Sequence, residues 1–135
     1  MENITEVSAG VITDGGRILI CRRAAGKSNG GCWEFPGGKL ENGESAEEAV
    51  VREIREELSA RVSVTEKLCN VVYDYPSFRL DMDCFLCELR EGELRLLEAE
   101  EARWLGKNEL FSVNWLPADI LAVQKLERYL TEKGE

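Results

Sequence analysis

The sequence predicts an α/β fold, a sandwich built on a mixed β-sheet. Two observations carry that expectation. Runs rich in β-branched and alternating apolar residues recur along the chain, and two stretches of helical periodicity are interleaved with them. At 135 residues the chain is expected to be a single domain over 1–135, long enough to bury a real core.

The elements follow in order. Val7 to Thr13 reads as a first strand, and Asp14-Gly15-Gly16 as a hairpin turn. Arg17 to Arg23 returns as a second strand, with Ile18, Ile20 and Arg22 on one face and Leu19, Cys21 and Arg23 on the other. Ala24 to Gly31 is a loop, and Trp33 to Pro36 a short extended piece before a glycine turn at Gly37-Gly38. Ser45 followed by Glu48 is a capping box that starts a helix running to about Leu58, with Val50, Ile54 and Leu58 as its buried stripe. Arg61 to Tyr75 and Arg79 to Leu89 form an antiparallel pair turned at Pro76-Ser77. Glu91-Gly92-Glu93 is a turn, Leu94 to Leu97 a short apolar piece, Ala102 to Leu105 a last strand and Lys107 to Phe111 a short helix. Pro117-Ala118-Asp119 opens the final helix, with Ile120, Val123, Leu126 and Leu130 at helical spacing.

The chemistry concentrates between Gly37 and Leu58. Glu53, Glu56 and Glu57 stand at i, i+3 and i+4, neighbours on one helix face. Like charges at that spacing repel by roughly 0.2–0.5 kcal/mol per pair. Hard divalent cations take oxygen ligands, and Mg²⁺ commonly joins carboxylates to substrate phosphates. A cation would convert this repulsion into a binding site, whereas a merely solvated acidic face would do no chemistry. Arg52 lies one turn before Glu56 and is placed to orient the acids.

Composition narrows the choices. Net charge is −9, which excludes long nucleic acid as a partner, since polyanions need a basic stripe. The chain has no histidine, so His-based zinc sites and His-activated nucleophiles are excluded. The five cysteines are an odd number without a secretion signal and are expected to be free thiols. Cys84 and Cys87 form a C-x-x-C inside a strand, where residues three apart point to opposite faces, so they are expected to be structural. No apolar run reaches the length of a membrane span and no signal peptide is visible, which leads to an expected cytoplasmic location away from membranes.

Gly38, then Glu44, then Arg52-Glu53-Ile54-Arg55-Glu56-Glu57, resembles the Nudix box, G-x5-E-x7-R-E-U-x-E-E-x-G-U. Every charged position matches; Ser59 and Ala60 stand where the box has glycine and a bulky aliphatic residue. The flanking segments are similar to the MutT branch of that family, nucleoside triphosphate pyrophosphohydrolases that include 8-oxo-dGTP diphosphatases. The resemblance implies a Nudix-type α/β/α sandwich with a central mixed sheet. It implies Mg²⁺, with Mn²⁺ as alternative, held by Glu53, Glu56, Glu57, the Gly38 carbonyl and Glu98. It implies Glu53 or Glu98 as general base with Arg52 in the catalytic set, and Arg23, Phe35, Phe78 and Asp119 as nucleotide contacts. Of Trp33 and Phe35, one is expected to face the pocket, and the resemblance picks Phe35. Asp119 is open between helix N-cap and base contact. As an ionised acceptor it would suit base edges that show donors, as 8-oxoguanine and cytosine do.

The implied reaction is hydrolysis of a small-molecule nucleotide such as 8-oxo-dGTP to monophosphate and pyrophosphate, in nucleotide-pool sanitation, by a monomer or homodimer. A CTP/dCTP-type pyrophosphohydrolase is the alternative, and a non-catalytic nucleotide-sensing module a third reading.

Overall fold

The computed structural model describes residues 3–27, 29–91, 94–95 and 101–133. Among the described residues, seven strands form one mixed sheet and two α-helices accompany it. β1 (Ile4–Asp14) turns into β2 (Arg17–Arg22) through Gly15 and Gly16, whose φ values of +60° and +80° are the left-handed pair that a tight hairpin requires. β3 (Trp33–Glu34) pairs with β2, and β4 (Gly37–Lys39) with the opening half of β1. After α1 (Ala46–Leu58), β5 (Arg61–Tyr75) and β6 (Phe78–Glu91) form a long hairpin closed by Pro76-Ser77. β7 (Glu101–Leu105) adds to β2, a single 3-10 turn spans Lys107–Glu109, and α2 (Pro117–Glu132) ends the fold. The spatial order along the sheet is β3-β2-β1-β6-β5, with β1 and β6 parallel and the other described strand pairs antiparallel.

Strand alternation sends side chains to two cores. Val11, Ile18, Ile20, Cys84 and Leu86 pack under α2 with Ala122, Val123 and Leu126. Ile12, Leu19, Cys21, Phe85 and Cys87 pack under α1 with Val50, Ile54 and Leu58. This is the expected α/β/α sandwich. It also sends Cys84 and Cys87 to opposite faces, both buried and free.

Three expectations need correction. The short helix expected over Lys107 to Phe111 is only the 3-10 turn, with Phe111 exposed. The buried stripe of α2 runs through Ala118, Asp119, Ala122, Val123 and Leu126, and leaves Ile120 exposed. Asp119 is not the N-cap of α2. Leu116 takes that place because Pro117 favours the first helical position, which puts Asp119 third in the first turn. Of the expected turn and apolar piece near residue 92, Gly92, Glu93, Leu96 and Leu97 lie outside the described residues.

Candidate active site

The site begins where β4 presses against β1 and α1. A Cβ on Gly37 would collide with the Ser8 carbonyl, and one on Gly38 with the Glu53 carboxylate. Two glycines therefore let α1 bring its acids onto the β4 backbone. The Gly37 N–H donates to Glu57 Oε2 at 3.1 Å. The capping box fixes the start of α1: Glu48 N–H donates to Ser45 Oγ at 3.1 Å, and Ser45 N–H to Glu48 Oε1 at 2.9 Å. At the far end, Ser59 adopts the left-handed conformation, φ 56° and ψ 32°, that glycine normally supplies, and its N–H donates to the Arg55 carbonyl.

Arg52 organises the acidic face. Its Nε and Nη2 grip the Glu44 carboxylate at 2.6 and 3.0 Å, its Nη1 donates to Glu53 at 2.7 Å and Glu56 at 3.0 Å, and its Nη2 also reaches the Lys39 carbonyl at 3.0 Å. These bonds, led by that from Glu44, raise the guanidinium above its ordinary pKa, and the same contact lowers Glu44. Glu44 is thus an anchor for Arg52, which residue type alone did not reveal, although its fixed spacing eight residues upstream was visible. Among the described residues, no three His, Cys, Asp or Glu side chains are already gathered into a metal cage. Glu53 is turned to Arg52 and Glu57 to the Gly37 amide. The donor set nevertheless fits a hard cation: oxygen ligands on one helix face, packed on a backbone stripped of Cβ atoms.

Glu53, Glu57 and Gly38 share one cavity of about 380 Å³ with Arg23, Phe35, Phe78 and Asp119. Arg52 and Glu56 do not line this cavity, and Glu98 lies outside the described residues. Arg23 donates to Glu34 Oε1 at 3.1 Å. Burial pushes Glu34 up, against the pull of Arg23. Trp33 and Phe35 are both buried; only Phe35 lines the cavity, its ring 4.9 Å from that of Trp115, while Trp33 lies under the Arg103 guanidinium. The more open aromatic wall is Phe78 stacked on Tyr75, centroids 5.2 Å apart at 22°.

Asp119 is 3% exposed. Its Oδ2 accepts the Phe35 N–H at 2.9 Å and makes no bond to its own helix. The capping task falls to Tyr75, whose hydroxyl accepts the Ala118 N–H at 3.2 Å. Tyr75 is a site-forming residue that sequence reasoning missed; its partner is 43 positions away. Burial pushes the Asp119 carboxyl up to about 8, with the Phe35 amide opposing and Glu34 adding to the shift. Near neutral pH this carboxyl keeps its proton, which corrects the expectation of an ionised acceptor.

The NUDIX domain family matches residues 4–129, and the chain belongs to the Nudix hydrolases. It is an enzyme of that family, whose members generally use divalent metals. It is 35% identical over 127 residues to the 8-oxo-dGTP diphosphatase of Escherichia coli K12, covering 91% of this chain and 96% of that protein. It is 33% identical to the CTP pyrophosphohydrolase of the same organism, covering 85% of each. The solution structure of MutT, a Nudix hydrolase from methicillin-resistant Staphylococcus aureus 252, superposes with a TM-score of 0.78 at 34% identity, over 96% of this chain and 99% of that one. No helix among the described residues is long and apolar enough to cross a membrane.

Proposed function

We propose that the chain, as one Nudix domain over 1–135 acting in the cytoplasm, hydrolyses an oxidised purine nucleoside triphosphate of the 8-oxo-dGTP type to monophosphate and pyrophosphate. The observation that carries this reading is the shared cavity, in which Glu53 and Glu57 of α1 and the buried Asp119 carboxyl look onto one space.

A protonated carboxyl offers one donor and one acceptor side by side. 8-Oxoguanine presents the complement, an O6 acceptor beside an N7–H donor. Unmodified guanine shows acceptors at both O6 and N7, so the Asp119 carbonyl oxygen would face a lone pair there. Such a mismatched edge costs about 1–3 kcal/mol in base readout, or roughly tenfold and more in discrimination. Phe78 and Tyr75 give the base an aromatic wall, Phe35 closes the pocket behind Asp119, and Arg23 supplies positive charge for the phosphates. Water attacks the β-phosphorus in line with its leaving group, and catalysis rests on positioning and electrostatics. Glu53 or Glu98 takes the proton of that water. Arg52, anchored on Glu44, holds Glu53 and Glu56 in orientation. Mg²⁺, with Mn²⁺ as substitute, would be held by Glu53, Glu56, Glu57, the Gly38 carbonyl and Glu98, supplying charge neutralisation and a more acidic water.

Cytosine also shows a donor beside an acceptor, N4–H₂ next to N3. The same Asp119 observation therefore supports a CTP-type substrate as the second reading, in keeping with the relative of that name. The test is a panel of 8-oxo-dGTP, dGTP, CTP, dCTP and dATP with Mg²⁺, scored for both products. The expected result is monophosphate and pyrophosphate in equal amounts, with 8-oxo-dGTP at least about tenfold above dGTP in kcat/KM. Binding without turnover across the panel would instead identify a nucleotide-sensing module.

A further inference from the structure

On the sheet face covered by α2, β5 and β6 set two cysteines directly opposite each other. Cys69 and Cys84 are register partners just past a bulge at Leu68, and both belong to the same side-chain cluster as Met82, Leu86 and Val123. Paired residues of antiparallel strands hold their Cα atoms about 4.5–5.5 Å apart. That lies within the span of about 4.4–6.8 Å that a disulfide bridges. Both thiols are free. No other cysteine pair is placed this way: Cys87 and Cys21 lie on the α1 face, and Cys32 follows the loop before β3.

The two thiols are not equivalent. Cys84 is fully buried, whereas Cys69 is half-buried and open to a small solute. The neighbouring thiol lowers the Cys69 pKa and raises that of Cys84; burial and Asp83 oppose the Cys69 thiolate, and Lys125 and Lys67 favour it. We propose that Cys69 and Cys84 form an oxidisable dithiol site for hydroperoxides, with Cys69 oxidised first and Cys84 as the resolving thiol. The Cys69 sulfur attacks a peroxide oxygen, the O–O bond breaks, the other oxygen leaves as water or alcohol with the Cys69 proton, and Cys69 becomes a sulfenic acid, oxidised by two electrons. The Cys84 sulfur then attacks the Cys69 sulfur. The S–O bond breaks, the hydroxyl leaves as water with the Cys84 proton, and the disulfide forms. With hydrogen peroxide, two thiols and one peroxide give one disulfide and two waters. Neither cysteine lines the nucleotide cavity, and the proposal does not depend on the proposed substrate.

The whole protein is treated with one equivalent of hydrogen peroxide, unfolded, alkylated and mapped by mass spectrometry. The expected result is joint loss of alkylation at Cys69 and Cys84, recovered as one linked peptide pair that dithiothreitol reverses, with Cys21, Cys32 and Cys87 still alkylated. In Cys84→Ser, or in Cys84→Ala where serine does not fold, dimedone should trap Cys69 as the sulfenic acid. Oxidation of Cys32 with Cys69 and Cys84 both alkylated, a linked pair of other composition, or full alkylation of all five thiols would overturn the proposal.

Discussion

Burial makes the Asp119 carboxyl a weak acid, and stability should record it. Its pKa is raised from the ordinary 3.8 to about 8 in the fold, so between those values the native state binds a proton that the unfolded chain releases. Stability from this group is fully present below about pH 4 and is lost as pH climbs toward and through about 8. Asp119→Asn should remove that part of the slope, a difference read by denaturant titration of both proteins from pH 5 to 9. Equal slopes would place Asp119 in a wetter site than the fold gives it. The same variant keeps a donor beside an acceptor, so it should keep the preference for 8-oxo-dGTP at neutral pH and extend it above pH 8, where Asp119 ionises. Asp119→Ala should lose the preference. At the acidic face, Glu44→Gln should loosen Arg52 and cut kcat/KM by about 10–100-fold, the usual cost of losing a partner that orients ligands. Wild-type turnover in that variant would make the Glu44–Arg52 contact a surface ion pair only.

The two helices differ in how much of them the sequence discloses. α1 is legible throughout because its determinants are local: a capping box from Ser45 to Glu48, a stripe at i, i+4 and i+8, and acids on the neighbouring face. Its exit is local too. Ser59 stands in a left-handed conformation that costs an ordinary residue about 1–2 kcal/mol, and glycine gives back about 0.5–1 kcal/mol in chain entropy. Ser59→Gly should therefore stabilise the protein by roughly 0.5–1 kcal/mol with activity unchanged, as measured by thermal unfolding. An unchanged or lower Tm would mean that the serine side chain contributes something glycine lacks. α2 opens at Pro117 as its sequence predicts, but its cap is hidden, because the acceptor comes from Tyr75 on β5 and no pattern within the helix signals that. Tyr75→Phe keeps the stacked ring and strips the acceptor from the Ala118 N–H. It should cost about 0.5–1.5 kcal/mol and relax base choice through Asp119, one residue on. Loss of stability with substrate ranking intact would confine Tyr75 to the helix cap.

For the molecule as a whole, alternation along β1, β2 and β6 showed that strands existed but not that both faces were covered; that depends on where the helices pack. The parallel β1–β6 seam was likewise hidden, since it joins elements some seventy positions apart. The sequence placed the box acids on one helix, and the fold brings Glu53 and Glu57 into a cavity with Asp119, Arg23 and Phe35 drawn from three other segments. That convergence is the central claim: one site grips a nucleobase and breaks its triphosphate. Hydrolysis of 8-oxo-dGTP in oxygen-18 water tests it most directly, with products separated and weighed. Attack at the β-phosphorus predicts label in pyrophosphate and none in the monophosphate. Label confined to the monophosphate, or inorganic phosphate as the product, would contradict it.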